Sequence, residues 1–244
     1  MKPTTAISII TCKRDKATYL GQTAAALLRA GADECTHRWV LIDGDSDPVP
    51  PGWEPETWWP RAGTRMMMWR AFETALKAGV DQLIYCEDDV TPCRNAIRYI
   101  ARMRVPPARA FVDFYCGRKE LPETPGVHDV PAIGFSGTQC FLISRQVMAW
   151  LMSRDPLAVM PDQRYGHIYT GSDMALAAHL MESPWSRYLV HLPRLVQHDG
   201  DVSIAHPRKG ERRRPFPGED FDALSLLPQN VPGGAAAGAG AGDE

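Results

Sequence analysis

Apolar positions along the chain switch back and forth between a strand-like and a helix-like period. Residues 6–12 (AISIITC) form a short apolar run rich in β-branched side chains, which predicts a buried strand. After the polar stretch Lys13-Arg14-Asp15, the residues Leu20, Ala24, Leu27 and Leu28 fall at helical spacing up to Gly31. Residues 39–42 (WVLI) predict the next strand, stopped by the turn-rich DGDSDP of residues 43–48. The stretch 48–60, with several prolines and tryptophans, reads as an ordered surface loop. A helix is expected over 65–78, closed by Gly79, and a third strand over 82–86 (QLIYC). A helix over 93–103 and a strand over 110–116 follow, then a long loop over 117–137, rich in proline and glycine. Beyond it come a strand over 138–144 (TQCFLIS), a helix over 146–152 and a second helix starting near Ser172. That helix carries Leu176, Ala177 and Leu180 on one face, and residues 188–196 predict a last strand.

Strands alternating with helices predict an α/β chain with a mostly parallel central sheet flanked by helices, as a single domain. Ligands of such sheets bind beyond the carboxyl ends of the strands, which singles out the loops after Cys12, Ile42 and Cys86. All three are charged. Composition narrows the class without changing this picture. With 244 residues, 44% of them hydrophobic, the chain can build a real core, and this argues against a disordered protein, a collagen-like fibre or a small disulfide scaffold. The 27 basic and 29 acidic residues leave a net charge of −2, so no global attraction to nucleic acid or anionic membrane follows. None of the six cysteines sits in a CxxC pair, and they are expected to be reduced, buried thiols. The first apolar stretch is too short for a signal peptide, and no run reaches the roughly 18 apolar residues of a spanning helix. A cytoplasmic protein without a membrane span is the expectation. Its core would cover residues 1–206, followed by a basic segment over 207–227 and a disordered Gly/Ala-rich tail over 228–244.

The sharpest chemical feature is Glu87-Asp88-Asp89, directly after the strand LIYC. Three consecutive carboxylates at a strand end repel each other, and a divalent cation with a preference for oxygen, Mg2+ or Mn2+, would remove that repulsion. Such a cation can bridge a diphosphate and take up charge on a departing phosphate. Around the same sheet edge, Thr11, Lys13 and Arg14 follow the first strand, where amides and cations can approach a nucleotide. Asp43 follows the second, placed to accept hydrogen bonds from a base or ribose, and Arg65 opens the helix before the triplet, within reach of a phosphate. Trp58 and Trp59, or Tyr165 and Tyr169, are candidate stacking surfaces.

The order ISIITCKRD, VLIDGDSD, LIYCEDDV, GTQCFLISR and GSDMALA resembles that of the GT-A glycosyltransferases over residues 6–206. The EDD triplet is similar to their DxD motif, with Glu87 standing where the strict motif has Asp. LVQHDGDVS resembles the bacterial and N-acetylglucosaminyltransferase-IV-like branches. The resemblance implies a GT-A-like, Rossmann-like fold and transfer of a sugar from a nucleotide-sugar donor, a UDP-sugar, with inversion and with Mn2+ or Mg2+. It further implies donor contacts by Glu87 and Asp88 and metal ligation by Asp89 and His198. Asp173 would be the base for the acceptor hydroxyl, and Gly137, Thr138 and Gln139 would line the acceptor pocket. A glycan or small glycoside is the expected acceptor. The alternative is a phage-type DNA glycosyltransferase acting on flipped, hydroxymethylated bases, for which the basic block 208–214 offers phosphate contacts. A non-catalytic nucleotide-sugar binder or a nucleotidyltransferase is a further alternative, though TCKRDKATYLG lacks the glycines of a phosphate-cradling loop.

Overall fold

The first strand, β1 (Thr5–Thr11), is buried along its whole length, as a strand covered on both faces must be. In the computed structural model it lies at the centre of the parallel half of an eight-stranded sheet. The structure describes residues 3–14, 18–115, 121, 124–133, 135, 137–155, 171–199 and 216–227. Tyr165, Tyr169, Cys116, the basic block 208–214 and the tail 228–244 lie outside the described residues.

Along the chain, β1 is followed by α1 (Leu20–Arg29), β2 (His37–Asp43), β3 (Glu54–Trp58), α2 (Thr64–Lys77), β4 (Gln82–Glu87) and β5 (Val90–Pro92). Then come α3 (Ala96–Ile100), β6 (Phe111–Asp113), β7 (Gly126–Pro131), β8 (Cys140–Ser144), α4 (Arg145–Leu151), α5 (Ser172–Met181), β9 (Arg187–Leu192) and β10 (Val196–His198). The large sheet runs β3-β2-β1-β4-β8-β6-β9-β7, while β5 and β10 form a separate antiparallel ribbon. Pairings from β3 through β4, and that of β6 with β9, are parallel. Strand β8 is antiparallel to both neighbours, and β7 is an antiparallel edge. This is the expected α/β architecture, with a mixed second half.

Alternation along the strands sends side chains to two cores. Ile7 and Ile9 of β1 join Ile84 and Cys86 against Leu20 and Leu27 of α1 and Ile97 and Ile100 of α3. Ala6 and Ile10 face the other way, with Tyr85 and Phe141, against Met68 and Phe72 of α2, Val147 of α4 and Leu176 of α5. Helices therefore cover both faces, and the charged loops are left at the strand ends. Residues 216–227 pack back onto this framework: Ala223 is buried, and Asp222 accepts a hydrogen bond from the side chain of Asn95 (3.0 Å).

Four expectations are corrected. The stretch 48–60 contains β3, and the expected loop 117–137 contains β7. Both are sheet-edge strands with mostly exposed side chains, so neither carries the apolar run that announces an interior strand. Proline-bearing EPETW is tolerated there because an edge strand pairs along one side alone. The expected strand over 188–196 is two, β9 and β10, parted at Pro193, which has no N–H to give a ladder. The helix expected over 93–103 shortens to α3, because residues 90–92 form a strand with β10 and the chain past Ile100 continues in turns.

Candidate metal and donor site

Strand β4 ends at Glu87, and the turn of Asp88 and Asp89 between β4 and β5 sorts the three acids. Glu87 and Asp89, two residues apart, come to one side with His198; ligand atoms of the three lie within 4.8 Å of one another. Asp88 is held elsewhere: its carboxylate accepts the Thr11 hydroxyl (2.5 Å) and the Arg14 guanidinium. Glu87, expected among the donor contacts, is thus grouped with the metal candidates. The ribbon explains how His198 arrives. Residues 196–198 pair antiparallel with 90–92, and the Asp199 amide donates to the Asp89 carbonyl (2.8 Å). His198 Nε2 then lies 3.2 Å from Asp89 Oδ2. The Thr23 hydroxyl on α1, unmarked in the sequence, reaches the carbonyls of Asp88 (2.7 Å) and Val90 (3.1 Å) and holds the turn.

Arg14 is the cation that pairs with the triplet among the described residues. Its guanidinium pairs with Asp88 and, at 3.0 Å, with Asp89 Oδ2, and it sits 5.0 Å from the centre of the Tyr19 ring. Lys13 instead lies exposed, 3.5 Å from Asp45. Asp43 is 5% exposed and accepts the backbone N–H groups of Ala62 (2.6 Å) and Gly63 (2.9 Å), which fix the chain entering α2. Arg65 stands half-buried in the first turn of that helix. At the sheet edge, Trp59 is 72% exposed, and its ring covers Gly44 at the end of β2. Cys12 is half-buried and accepts from Arg61 (2.8 Å), whereas Cys35, Cys86, Cys93 and Cys140 are buried as expected.

On the far side of the triplet, Thr138 donates to Glu87 Oε1 (2.5 Å) and contacts the Ser172 hydroxyl (3.2 Å). Gln139 Nε2 reaches Glu87 Oε2 (3.3 Å). Asp173 lies in the first turn of α5, which Gly171 precedes as the capping residue. Its Oδ2 accepts the Gly137 N–H (3.1 Å), and its Oδ1 the Met174 N–H (2.8 Å). Gly137 has φ +103°, and a Cβ there would stand 2.6 Å from Gln139 Oε1 and 3.1 Å from the Tyr115 ring, so glycine is required. The sequence left Tyr115 and Arg194 unmarked. Arg194 is buried under the Tyr115 ring (4.9 Å), which meets His198 edge-on (6.1 Å).

Burial and the neighbouring charges set the protonation of the cluster. Burial, helped by the charge of Asp89, pushes the Glu87 carboxyl up to about 7, and burial pushes Asp88 up to about 6. Burial would raise Asp89 too, but His198 and Arg14 hold it below the ordinary range. Burial opposes a charged His198, yet the bond to Asp89 raises it above its usual value. Asp89 Oδ1 is buried with no hydrogen-bond partner among the described residues. Two carboxylates and an imidazole with one orphaned oxygen suit Mn2+ or Mg2+. The residues fit such an ion.

A pH dependence follows. Glu87 and Asp88 bind protons more tightly folded than unfolded, so their contribution to stability is present at low pH and is lost as pH rises through about 6 to 7. The raised His198 acts in the same direction, and the lowered Asp89 acts only at more acidic pH. Between pH 5.5 and 8 the protein without divalent cation should lose about 2–3 kcal/mol, a Tm drop of roughly 5–10 °C. Calorimetric melts with EDTA check this, and Mn2+ should restore the Tm at pH 8. A flat Tm across this range would count against the buried, uncompensated cluster.

No protein-family model matches the chain, and no curated protein is detectably similar to it. Similar solved structures include the mannosyltransferase PcManGT from Pyrobaculum calidifontis in complex with GDP-Man and Mn2+, at 13% identity and a TM-score of 0.49. The match covers 79% of this chain and 55% of that one, so the chain spans about half the neighbour's length. A likeness of this order bears on neither activity nor substrate. None of the described helices is long and apolar enough to cross a membrane.

Proposed function

We propose that the chain is an inverting glycosyltransferase of the GT-A type that moves a sugar from a nucleotide diphosphate donor, a UDP-sugar, to an acceptor hydroxyl. The observation that carries this reading is the Glu87–Asp89–His198 cluster with its orphaned Asp89 oxygen, placed where the parallel strands end. A bound Mn2+ or Mg2+ would supply charge neutralisation for the departing diphosphate. The chain's own residues do the rest. Arg14, now paired with Asp88 and Asp89, is the side chain to turn onto a phosphate oxygen. Thr11 keeps Asp88 oriented toward Arg14.

On the acceptor side, Asp173 takes the hydroxyl proton while the acceptor oxygen bonds to the anomeric carbon. The bond from that carbon to the diphosphate oxygen breaks, and the electron pair leaves with the nucleoside diphosphate. Each Asp173 oxygen accepts one backbone N–H and keeps a second lone pair for this proton. Gly137, Thr138 and Gln139 then border the acceptor. The catalytic unit is assigned to residues 1–206, and the cytoplasm is the compartment assigned, where neighbouring thiols such as Cys86 and Cys140, 3.6 Å apart, stay reduced.

Trp59 is the stacking surface for the donor base. Its replacement by Ala should weaken nucleotide binding about tenfold in a calorimetric titration, within the range for base–aromatic stacking, and leave Tm unchanged because the ring is exposed. Unaltered nucleotide affinity would remove Trp59 from the site. Mass spectrometry after incubation with UDP- and GDP-sugars, Mn2+ and a panel of acceptors tests the reaction as a whole. Simple glycosides should gain one sugar residue. Product on hydroxymethylated DNA alone would move the acceptor to a base, and no product on either with every donor would count against transfer.

A further inference from the structure

We propose that the hydroxyls of Thr138 and Ser172 form a relay that positions Glu87 as a metal ligand and ties it to the acceptor-side helix α5. This inference rests on the metal-dependent reading above. Both hydroxyls are buried, Thr138 at 3% and Ser172 at 7% exposure, so neither partner is replaced by bulk water. An ionised carboxylate can only accept, and a hydroxyl has a single hydrogen to give. Thr138 therefore gives its hydrogen to Glu87 Oε1 at 2.5 Å and accepts from Ser172 at 3.2 Å. With Glu87 ionised, the form that ligates a metal, the chain runs from Ser172 through Thr138 to Glu87.

Three neighbouring contacts make the relay more than a local bond. The Glu87 amide donates to the Gln139 carbonyl (3.0 Å), and the Gln139 side-chain amide reaches Glu87 Oε2 (3.3 Å). The same short segment gives its Gly137 N–H to Asp173 (3.1 Å). Residues 137–139 thus run as a strut from the candidate base on α5 to the candidate ligand on β4. Glu87 has a long side chain, and Oε1 anchored by Thr138 holds it in one orientation with lone pairs left for an ion. A hydroxyl that fixes a ligand in this way typically contributes 10–100-fold to metal affinity.

The experiment is a titration of Mn2+ into the full chain at pH 7.5, read by calorimetry and by the electron paramagnetic resonance signal of free Mn2+. Thr138→Val keeps the shape and removes the hydroxyl, and it should weaken Mn2+ binding about 10–100-fold. Thr138→Ser should bring affinity back to within about threefold of wild type, a rescue that a packing role for the Thr138 methyl would not give. Ser172→Ala should weaken binding less, and it should add nothing on top of Thr138→Val, because the two act in series. Mn2+ affinity of Thr138→Val equal to that of wild type overturns the relay while leaving the metal site standing. Should that variant not fold, Ser172→Ala decides alone, and wild-type affinity there overturns the relay. Absence of Mn2+ binding by the wild-type chain would overturn both the relay and the metal reading, and it is distinguishable because no variant is needed to see it.

Discussion

Asp89→Asn is expected to abolish Mn2+ binding, with affinity reduced at least about 100-fold and sugar transfer at least about 1000-fold. The substitution is isosteric, so the loss comes from charge and ligand chemistry rather than from a cavity. Asp89 supplies a buried carboxylate oxygen with no hydrogen-bond partner among the described residues, and its other oxygen faces both Arg14 and His198. An amide in its place offers a neutral oxygen to the ion and an N–H2 group that cannot ligate it. Asn would also remove the charge that, after burial, helps push Glu87 up to about 7. The Glu87 carboxyl should therefore ionise more easily in the variant while metal binding is lost. Calorimetric Mn2+ titration, with circular dichroism as a folding control, reads the first effect. Near wild-type Mn2+ affinity in a folded variant would show that the ion, if bound, sits elsewhere.

Asp173→Asn should do the opposite to binding and the same to turnover. Donor and Mn2+ affinity should stay within about threefold of wild type, while kcat falls about 100- to 10000-fold, the range for loss of a positioned base. An Asn oxygen can still accept the Gly137 N–H that Asp173 Oδ2 now takes, so the 137–139 segment should keep its place. What is lost is the capacity to hold a proton, together with the local hydrogen bond from the Met174 N–H, which the Asn amide nitrogen cannot accept. Donor binding by calorimetry and transfer by mass spectrometry separate the two effects. Normal turnover by this variant would return the base to an unassigned residue, whereas loss of donor binding along with turnover would make Asp173 a structural support for the acceptor loop.

How far the chain is legible before folding depends on where each element sits in the sheet. Strands β1, β2, β4 and β8 are covered on both faces, so their residues must be apolar throughout, and runs such as AISIITC and TQCFLIS disclose them. Strands β3 and β7 lie at the sheet edges with solvent-facing side chains, and their sequences EPETW and GVHDVP look like loops. Within the site, the triplet is visible because acids at a strand end are costly without a reason, whereas His198 is marked by the resemblance of LVQHDGDVS alone. Their division of labour was hidden in the turn after β4, which brings Glu87 and Asp89 together with His198 and gives Asp88 to Thr11 and Arg14. Contacts that orient them cross long stretches of chain: Arg14 to Asp89 spans 75 residues, and Thr138 to Glu87 spans 51. No local period encodes such pairs. Asp43 shows the converse, a strand-end acid whose oxygens are both engaged by the backbone amides entering α2.

The most direct test of metal-dependent sugar transfer is the release of nucleoside diphosphate from a UDP-sugar by the wild-type chain, followed by chromatography with Mn2+ or with EDTA. Release with Mn2+ that stops with EDTA and returns when the ion is added back is the predicted result. Equal release in both conditions would contradict the role given to Glu87, Asp89 and His198.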